Sequence, residues 1–339
     1  MTSLINIIKQ GANRRFRRLA LATVIIVYLL IIVGGVVRST GAGMGCPDWP
    51  TCFGSWVPPT HISQLPVDYQ TIYGAKLKGE VIFNPVKTWI EYVNRLFGVF
   101  TGLMIIATVI SSLKYFRTSA RPIFTWSFVA LLLVIFQGWL GAKVVSSELH
   151  PGMVTLHMLL AIIIVFILLY VYARAFVIEN HTEAPGNARF LNPILGFALV
   201  LSLFQIILGT QVREDMDMVI VQLGYDLRSQ WISNLGIDFY IHRSFSFLLA
   251  GVNIWLYLRI RRFESIFGLY SRLGSYIMLT IILTVVTGVI MAYWGVPAYA
   301  QPLHLTLAVA MIGIQFVLLM FINSERFLGN KGYKIDSVL

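Results

Sequence analysis

The sequence predicts an all-α integral membrane fold, with eight transmembrane helices arranged as two pseudo-symmetric parallel four-helix bundles. Three observations lead there. The chain of 339 residues is 57% hydrophobic and only 12% charged, with a mean hydropathy of +0.77, too apolar to wrap a wettable surface around one soluble core. Its apolar residues fall into windows long enough to cross a bilayer, which takes about 20 residues of helix. And the pattern of the first half returns in the second.

The expected spans, in order, are Leu19 to Val37, Tyr92 to Leu113, Pro122 to Val145, Val154 to Phe176, Leu191 to Val212, Tyr240 to Ile260, Leu273 to Trp294 and Leu303 to Asn323. The first follows Arg14, Arg15, Arg17 and Arg18 in the manner of a signal sequence. It is long, however, and Gly41 to Gly45 is a poor cleavage match, so it is read as an uncleaved helix. The repeat then orders the rest. Gly34-Gly35-Val36-Val37-Arg38 ends span 1 and Gly209-Thr210-Gln211-Val212-Arg213 ends span 5, 175 residues later. Glu91-Tyr92-Val93-Asn94-Arg95 aligns with Phe239-Tyr240-Ile241-His242-Arg243 at an offset of 148, and Leu156-His157 with Leu303-His304 at 147. Most of the change in offset is a longer first outer loop. Four spans per half is an even number, so both halves share one orientation, related by an axis along the membrane normal. The halves are 1–180, which includes the long loop 39–91, and 181–339; the seam near Glu179 to Asn192 is polar and holds Pro185 and Gly186.

A net charge of +11 would point to nucleic acid in a soluble protein. Here the basic residues follow the loops and form no groove, which excludes that partner. Of the 26 Lys and Arg, 17 lie in the N-tail, the 2/3, 4/5 and 6/7 loops and the C-tail. Both termini are therefore expected in the cytoplasm, with the long loops Ser39 to Glu91 and Glu214 to Phe239 outside. The two cysteines, Cys46 and Cys52, fall in the first outer loop, where a disulfide is allowed. A structural staple and a redox-active pair are both open readings of it, and two cysteines alone make a poor metal site.

Spans 2, 4, 6 and 8 run inward from the outer face, so Asn94, His157, His242 and His304 share one depth in their first turns. Each is followed four residues later by a small side chain, Gly98, Ala161, Ser246 and Ala308. That spacing leaves one helix face clear for a large flat cofactor, although small residues also simply let membrane helices approach. A single membrane histidine is more often a hydrogen-bonding link than an iron ligand; three in repeat-related positions reverse that. His242 and His304 form a complete pair able to hold one haem iron from both faces, giving a six-coordinate electron-transfer haem. Arg38, Arg95, Arg213 and Arg243 stand at outer helix ends in two repeat-related pairs and suit haem propionates, with interfacial snorkelling as the plainer alternative. His61 and His150 are outer-loop residues within reach of the first half's site, and His181 lies in the cytoplasmic linker.

The halves differ where it matters for iron. Glu91 and Asn94 replace Phe239 and His242. Asn94 is a poor iron ligand, so a haem in the first half hangs from His157, with its other face open or held by water or a loop residue. Glu91 lies on the same helix face as Asn94, and a carboxylate near the membrane is costly unless function or a partner retains it. The expectation is a permanent electron-relaying haem in the second half and a haem-like substrate in the first.

These residues resemble the heme A synthase family, which oxidises the C8 methyl of heme O to the formyl group of heme A for terminal oxidases. The resemblance covers most of the chain and is strongest at Gly34 to Gly41 leading into Cys46-Pro47-Asp48-Trp49-Pro50, at Gln137-Gly138 to His157, at His242-Arg243 and at His304. It implies a haem b held by His242 and His304, with Arg213 and Arg243 beside it. It also implies a heme O site at His157, Asn94, Arg38 and Arg95, with Glu91 acting in the oxidation by stabilising positive charge or positioning water. Cys46 and Cys52 resemble the outer-loop pair of many bacterial members, which implies a disulfide and a place in the bacterial inner membrane, haem sites toward the outer face. Implied partners are heme O synthase and cytochrome oxidase assembly, with self-association allowed. At Asn94 the chain departs from the family's glutamate-x-x-histidine-arginine motif. Either that histidine is dispensable here, or His61 or His150 substitutes, or the site has lost activity; the presence of Glu91 and Arg95 favours the first two. The competing function classes are an electron-transfer cytochrome b without substrate chemistry and a haem transporter or chaperone.

Overall fold

A computed structural model describes residues 2–74, 83–180, 188–263 and 268–329. His181 and half of the expected seam, 181–187, lie outside them, as do residues 330–339. Among the described residues the structure is helical, with one isolated antiparallel bridge, Cys52 to Ser55, and no strand.

Eight helices of 23 residues or more form the frame: α1 (Thr2–Ser39), α2 (Pro85–Ser112), α3 (Arg121–Ser146), α4 (Pro151–Asn180), α5 (Asn192–Leu223), α6 (Ile237–Phe263), α7 (Leu269–Tyr293) and α8 (Ala300–Ile322). Pro85, Pro122, Pro151 and Pro193 sit at the first or second helical position, where the missing N–H costs nothing and the fixed φ favours helix. At α2 the Asn84 side chain accepts from the Lys87 N–H as well.

Seven of the eight are long and apolar enough to cross a membrane; α6 is not among them. The span expected at Tyr240 to Ile260 does form a helix, but Arg243, Asn253 and Arg259 interrupt its apolar face. A second difference concerns the outer loop expected at Glu214 to Phe239. Helix α5 continues to Leu223 and ends at Gly224, whose φ of +69° only glycine adopts freely. Of its acidic residues, Asp217 is paired with two arginines.

In the first half α1, α2, α3 and α4 pack in a closed ring, and in the second α5, α6, α7 and α8 do the same. The rings meet mainly through α8, which lies against α1 and α4. At α1 and α8 the approach is close: a Cβ built on Gly35 would stand 2.7 Å from Pro302 Cβ. The positions equivalent in the repeat are Thr210 and Thr155, which face each other across α5 and α4 with their hydroxyls 3.4 Å apart. One seam is thus glycine against proline and the other a wider hydroxyl pair.

Candidate functional site

Three histidines repeat one local arrangement. His157 on α4 is overlain by Gly141 on α3, His242 on α6 by Gly209 on α5, and His304 on α8 by Gly288 on α7. A Cβ on each glycine would lie 3.3, 3.2 and 3.3 Å from the imidazole Cε1. Any larger residue would push the ring off its present position. Glutamines fix two of the helices: Gln137 donates to the His157 carbonyl and Gln205 to the His242 carbonyl, both at 2.9 Å. Sequence reading missed these glycines and glutamines as a set. Their signal was Gln137 four residues before Gly141 and Gln205 four before Gly209.

His242 and His304 face one another with ring centroids 6.3 Å apart. Metal–imidazole bonds of about 2 Å on opposite sides of one ion place two ring centres about 6 Å apart, so this spacing fits an iron held from both faces. Thr287 Oγ1 lies 3.0 Å from His304 Nδ1, which fixes that ring and leaves Nε2 for a metal. His242 Nδ1 is buried against α5 beside Gly209 and the Gln205 backbone, an orientation that likewise leaves Nε2 for a metal. The donor set and the spacing of the two rings suit a haem.

The first half is built differently. His157 Nδ1 is buried and unpaired. In the place equivalent to His242 stands Asn94, whose Oδ1 is also buried and unpaired and lies 3.9 Å from where Gly34 would carry a Cβ. Glu91, 3% exposed, is turned to the outer loop. Its Oε2 accepts from the Cys46 N–H at 2.8 Å and its Oε1 from Arg95 at 2.5 Å. Arg95 also donates to the carbonyls of Asp48, Thr51 and Cys46, at 2.7, 2.9 and 3.2 Å. Thr88 holds the Gly45 carbonyl at 2.8 Å. Cys46 and Cys52, joined as a disulfide, pack with Phe53, Leu65, Tyr69 and Phe83. One face of α2 therefore pins the disulfide loop across the end of the first bundle.

Arg38 and Arg213 come together on one carboxylate: Asp217 receives Arg38 at 2.6 Å and Arg213 at 2.7 Å. Arg213 reaches Gln301 and the Arg38 carbonyl as well, tying α1, α5 and α8 at the junction of the rings. Asp217 was not foreseen. Arg243 stands apart, exposed, over Phe239 and Tyr240 at 5.7 and 5.3 Å. His61 is exposed at the start of a single turn, Ile62–Gln64, and His150 is exposed just before α4.

Fold and site together define a helical integral membrane protein with a two-histidine centre in one bundle and a one-histidine centre in the other. The family model described as "Cytochrome oxidase assembly protein", COX15-CtaA, matches residues 17–316, and the chain belongs to that family. It is similar to proteins named heme A synthase. The one from Shewanella oneidensis is 27% identical over 63% of this chain and 62% of that protein. The one from Alkalihalophilus pseudofirmus is 28% identical over 59% and 60%. The one from Rickettsia rickettsii is 25% identical over 86% and 93%. The matches to the first two thus span less than two thirds of those relatives, and the third spans nearly all of its own.

Proposed function

We propose that this chain is a heme A synthase, an oxidoreductase that converts heme O to heme A by successive hydroxylation of the C8 methyl to a formyl group. The observation that carries the reading is the inequality of two otherwise matching sites. His242 and His304 stand at the spacing of a single doubly held iron, whereas His157 shares its half with Asn94, whose amide is no match for imidazole as an iron ligand. A closed site suits electron transfer and an open one suits chemistry.

In this reading His242 and His304 hold a resident haem b, which supplies one-electron transfer when bound. His157 holds the iron of the substrate heme O. Arg38, Arg213 and Arg243 stand at the propionate end, and Arg95 joins Glu91 in setting the loop that carries the disulfide over the substrate site. Glu91, three residues before Asn94 on α2, would act in the oxidation by favouring positive charge developing at the methyl carbon, once its carboxylate is freed from the outer loop it now holds. With water as the oxygen source, converting a methyl to a formyl group releases four protons and four electrons, and the second bundle would be the electrons' exit to an acceptor outside the chain.

With α6 counted, eight helices cross the membrane as two parallel bundles related by an axis along its normal; 27 residues of helix reach about 40 Å, ample for a bilayer core. Both termini then lie in the cytoplasm of a bacterial cell, with the haem sites toward the outer face. Heme O synthase would supply the substrate, and cytochrome oxidase assembly would receive the product.

The test is to co-express the chain with heme O synthase and identify the extracted pigments by mass. Hydroxylated heme O together with heme A is the expected result. Haem b alone would leave an electron-transfer cytochrome in its place, and absence of any haem would remove both.

A further inference from the structure

Beneath the two-histidine centre lies a polar floor. Ser202, Asn253 and Gln315 are all fully buried and come from α5, α6 and α8. The Ser202 hydroxyl proton is shared between the Ala198 carbonyl at 2.8 Å and Gln315 Oε1 at 3.0 Å, and Gln315 Nε2 donates to Asn253 Oδ1 at 2.8 Å. Asn253 Nδ2 closes the chain on the Leu249 carbonyl at 2.9 Å. Their register follows from the site. Asn253 is eleven residues on from His242, and Gln315 eleven on from His304. Eleven residues are close to three whole turns, so each amide lies on the same helix face as its histidine, about 16 Å further into the membrane. Ser202 is seven residues before Gly209, again on the same face.

The same steps in the first half lead to different chemistry. Eleven on from Asn94 is Ile105, eleven on from His157 is Leu168, and seven before Gly34 is Val27. All three are buried in one apolar cluster. The two bundles thus carry floors of opposite character at equivalent positions.

We propose that these floors decide which porphyrin each bundle keeps, an inference that rests on the proposed heme O oxidation. Heme O carries a long isoprenoid chain where haem b has a vinyl group. With the propionates at the arginine-lined end, that substituent is on the edge facing the floor. An isoprenoid packed against Val27, Ile105 and Leu168 meets apolar side chains and parts no side-chain amide; the bundle's buried hydroxyl pair, Thr23 and Thr108, lies a turn deeper and 2.8 Å apart. In the second bundle the same chain would part amides whose hydrogen bonds are already mutually used and leave them buried and unpaired, a heavy cost where no water can replace them. Ser202, Asn253 and Gln315 are therefore specificity-determining residues that reserve the two-histidine centre for the tail-less haem.

The test uses the full-length protein with His157→Ala, so that bound pigment reports the second bundle. Titrated with haem b and with heme O, it should prefer haem b by about tenfold or more. Adding Ser202→Val, Asn253→Ile and Gln315→Leu, which copies the first floor into the second, should remove that preference while the low-spin spectrum of the two-histidine centre persists. Equal affinity for the two haems with the native floor overturns the proposal whether or not the triple variant folds, as does an unchanged preference in a folded triple variant. A His242→Ala/His304→Ala protein separates the two levels of the argument. If it takes up no heme O, the reading of the first bundle fails; if it does and the His157→Ala protein shows no preference, only the role of the floor fails.

Discussion

The two bundles share a frame and differ in a handful of side chains. In both, histidine on one helix sits under a glycine on the next. The second bundle completes that arrangement twice, locks one ring with Thr287 and closes its floor with hydrogen bonds. The first has one histidine, an unpaired amide at Asn94 and an apolar floor, and it spends its polar contacts on holding an outer loop through Glu91, Arg95 and Thr88. On the proposed function, this contrast would let one repeated scaffold keep one haem and admit another: two ligands and tied helices would make a resident site, and a vacant coordination position beside an apolar wall would make a site for a passing substrate.

Removing the histidines one half at a time should have the largest effect. His242→Ala or His304→Ala should abolish the low-spin haem b spectrum, while His157→Ala should leave it intact; equal loss in all three variants would mean the halves do not hold separate haems. Asn94→His should then make the first bundle resemble the second. We expect the substrate-loaded protein to shift toward a six-coordinate spectrum, and no shift would show that Asn94 does not face the iron. Thr287→Val probes the next layer out. Losing a partner that orients a ligating imidazole typically costs about 10–100-fold in affinity, so haem b should dissociate measurably faster, with the first bundle unaffected.

Much of this contrast was legible in the sequence, for physical reasons that also explain the rest. The histidines stood out because ionisable groups in apolar windows are rare and costly, and the repeat aligned Asn94 with His242. Helix α6 was anticipated as a span from its length, but its arginines and Asn253 lower its apolarity below that of its neighbours. The end of α5 was misjudged because Glu214, Asp215 and Asp217 look like a loop one residue at a time. Asp217 is held there by Arg213 one turn back on the same helix and by Arg38 from α1, and the second of these partners is not visible from local sequence. Ser202, Asn253 and Gln315 were passed over for a similar reason: each alone is a tolerated polar residue in an apolar run, and their meaning lies in contacts across three helices. Partnerships between segments distant in sequence are what periodicity and hydropathy do not report.

A smaller effect tests whether the glycines shape the sites or merely let helices approach. In Gly209→Ala the new Cβ would lie 3.2 Å from His242 Cε1, so either the ring or the helix must give, at a cost of about 1–3 kcal/mol. In Gly98→Ala the new Cβ meets nothing within 4 Å, and a change within about 0.5 kcal/mol is expected. Thermal unfolding of the two variants with haem b bound should separate them clearly, with Gly209→Ala the less stable.

The smallest effect concerns the tie between the halves. Asp217 joins Arg38 of the first bundle to Arg213 of the second, but its side chain is 41% exposed, so solvent screens much of the attraction and the pair of bridges is worth no more than about 1 kcal/mol to stability. Asp217→Asn should therefore lower the melting temperature only slightly, and the deficit should shrink further in high salt. Its consequence for the sites should exceed its consequence for the fold. Two guanidinium groups freed from their shared carboxylate leave more positive charge beside the propionate end of both bundles, which favours the reduced, less positive iron and should raise the midpoint potential of haem b. An unchanged potential alongside an unchanged melting temperature would show that the bridge neither couples the halves nor lies within electrostatic reach of the haem.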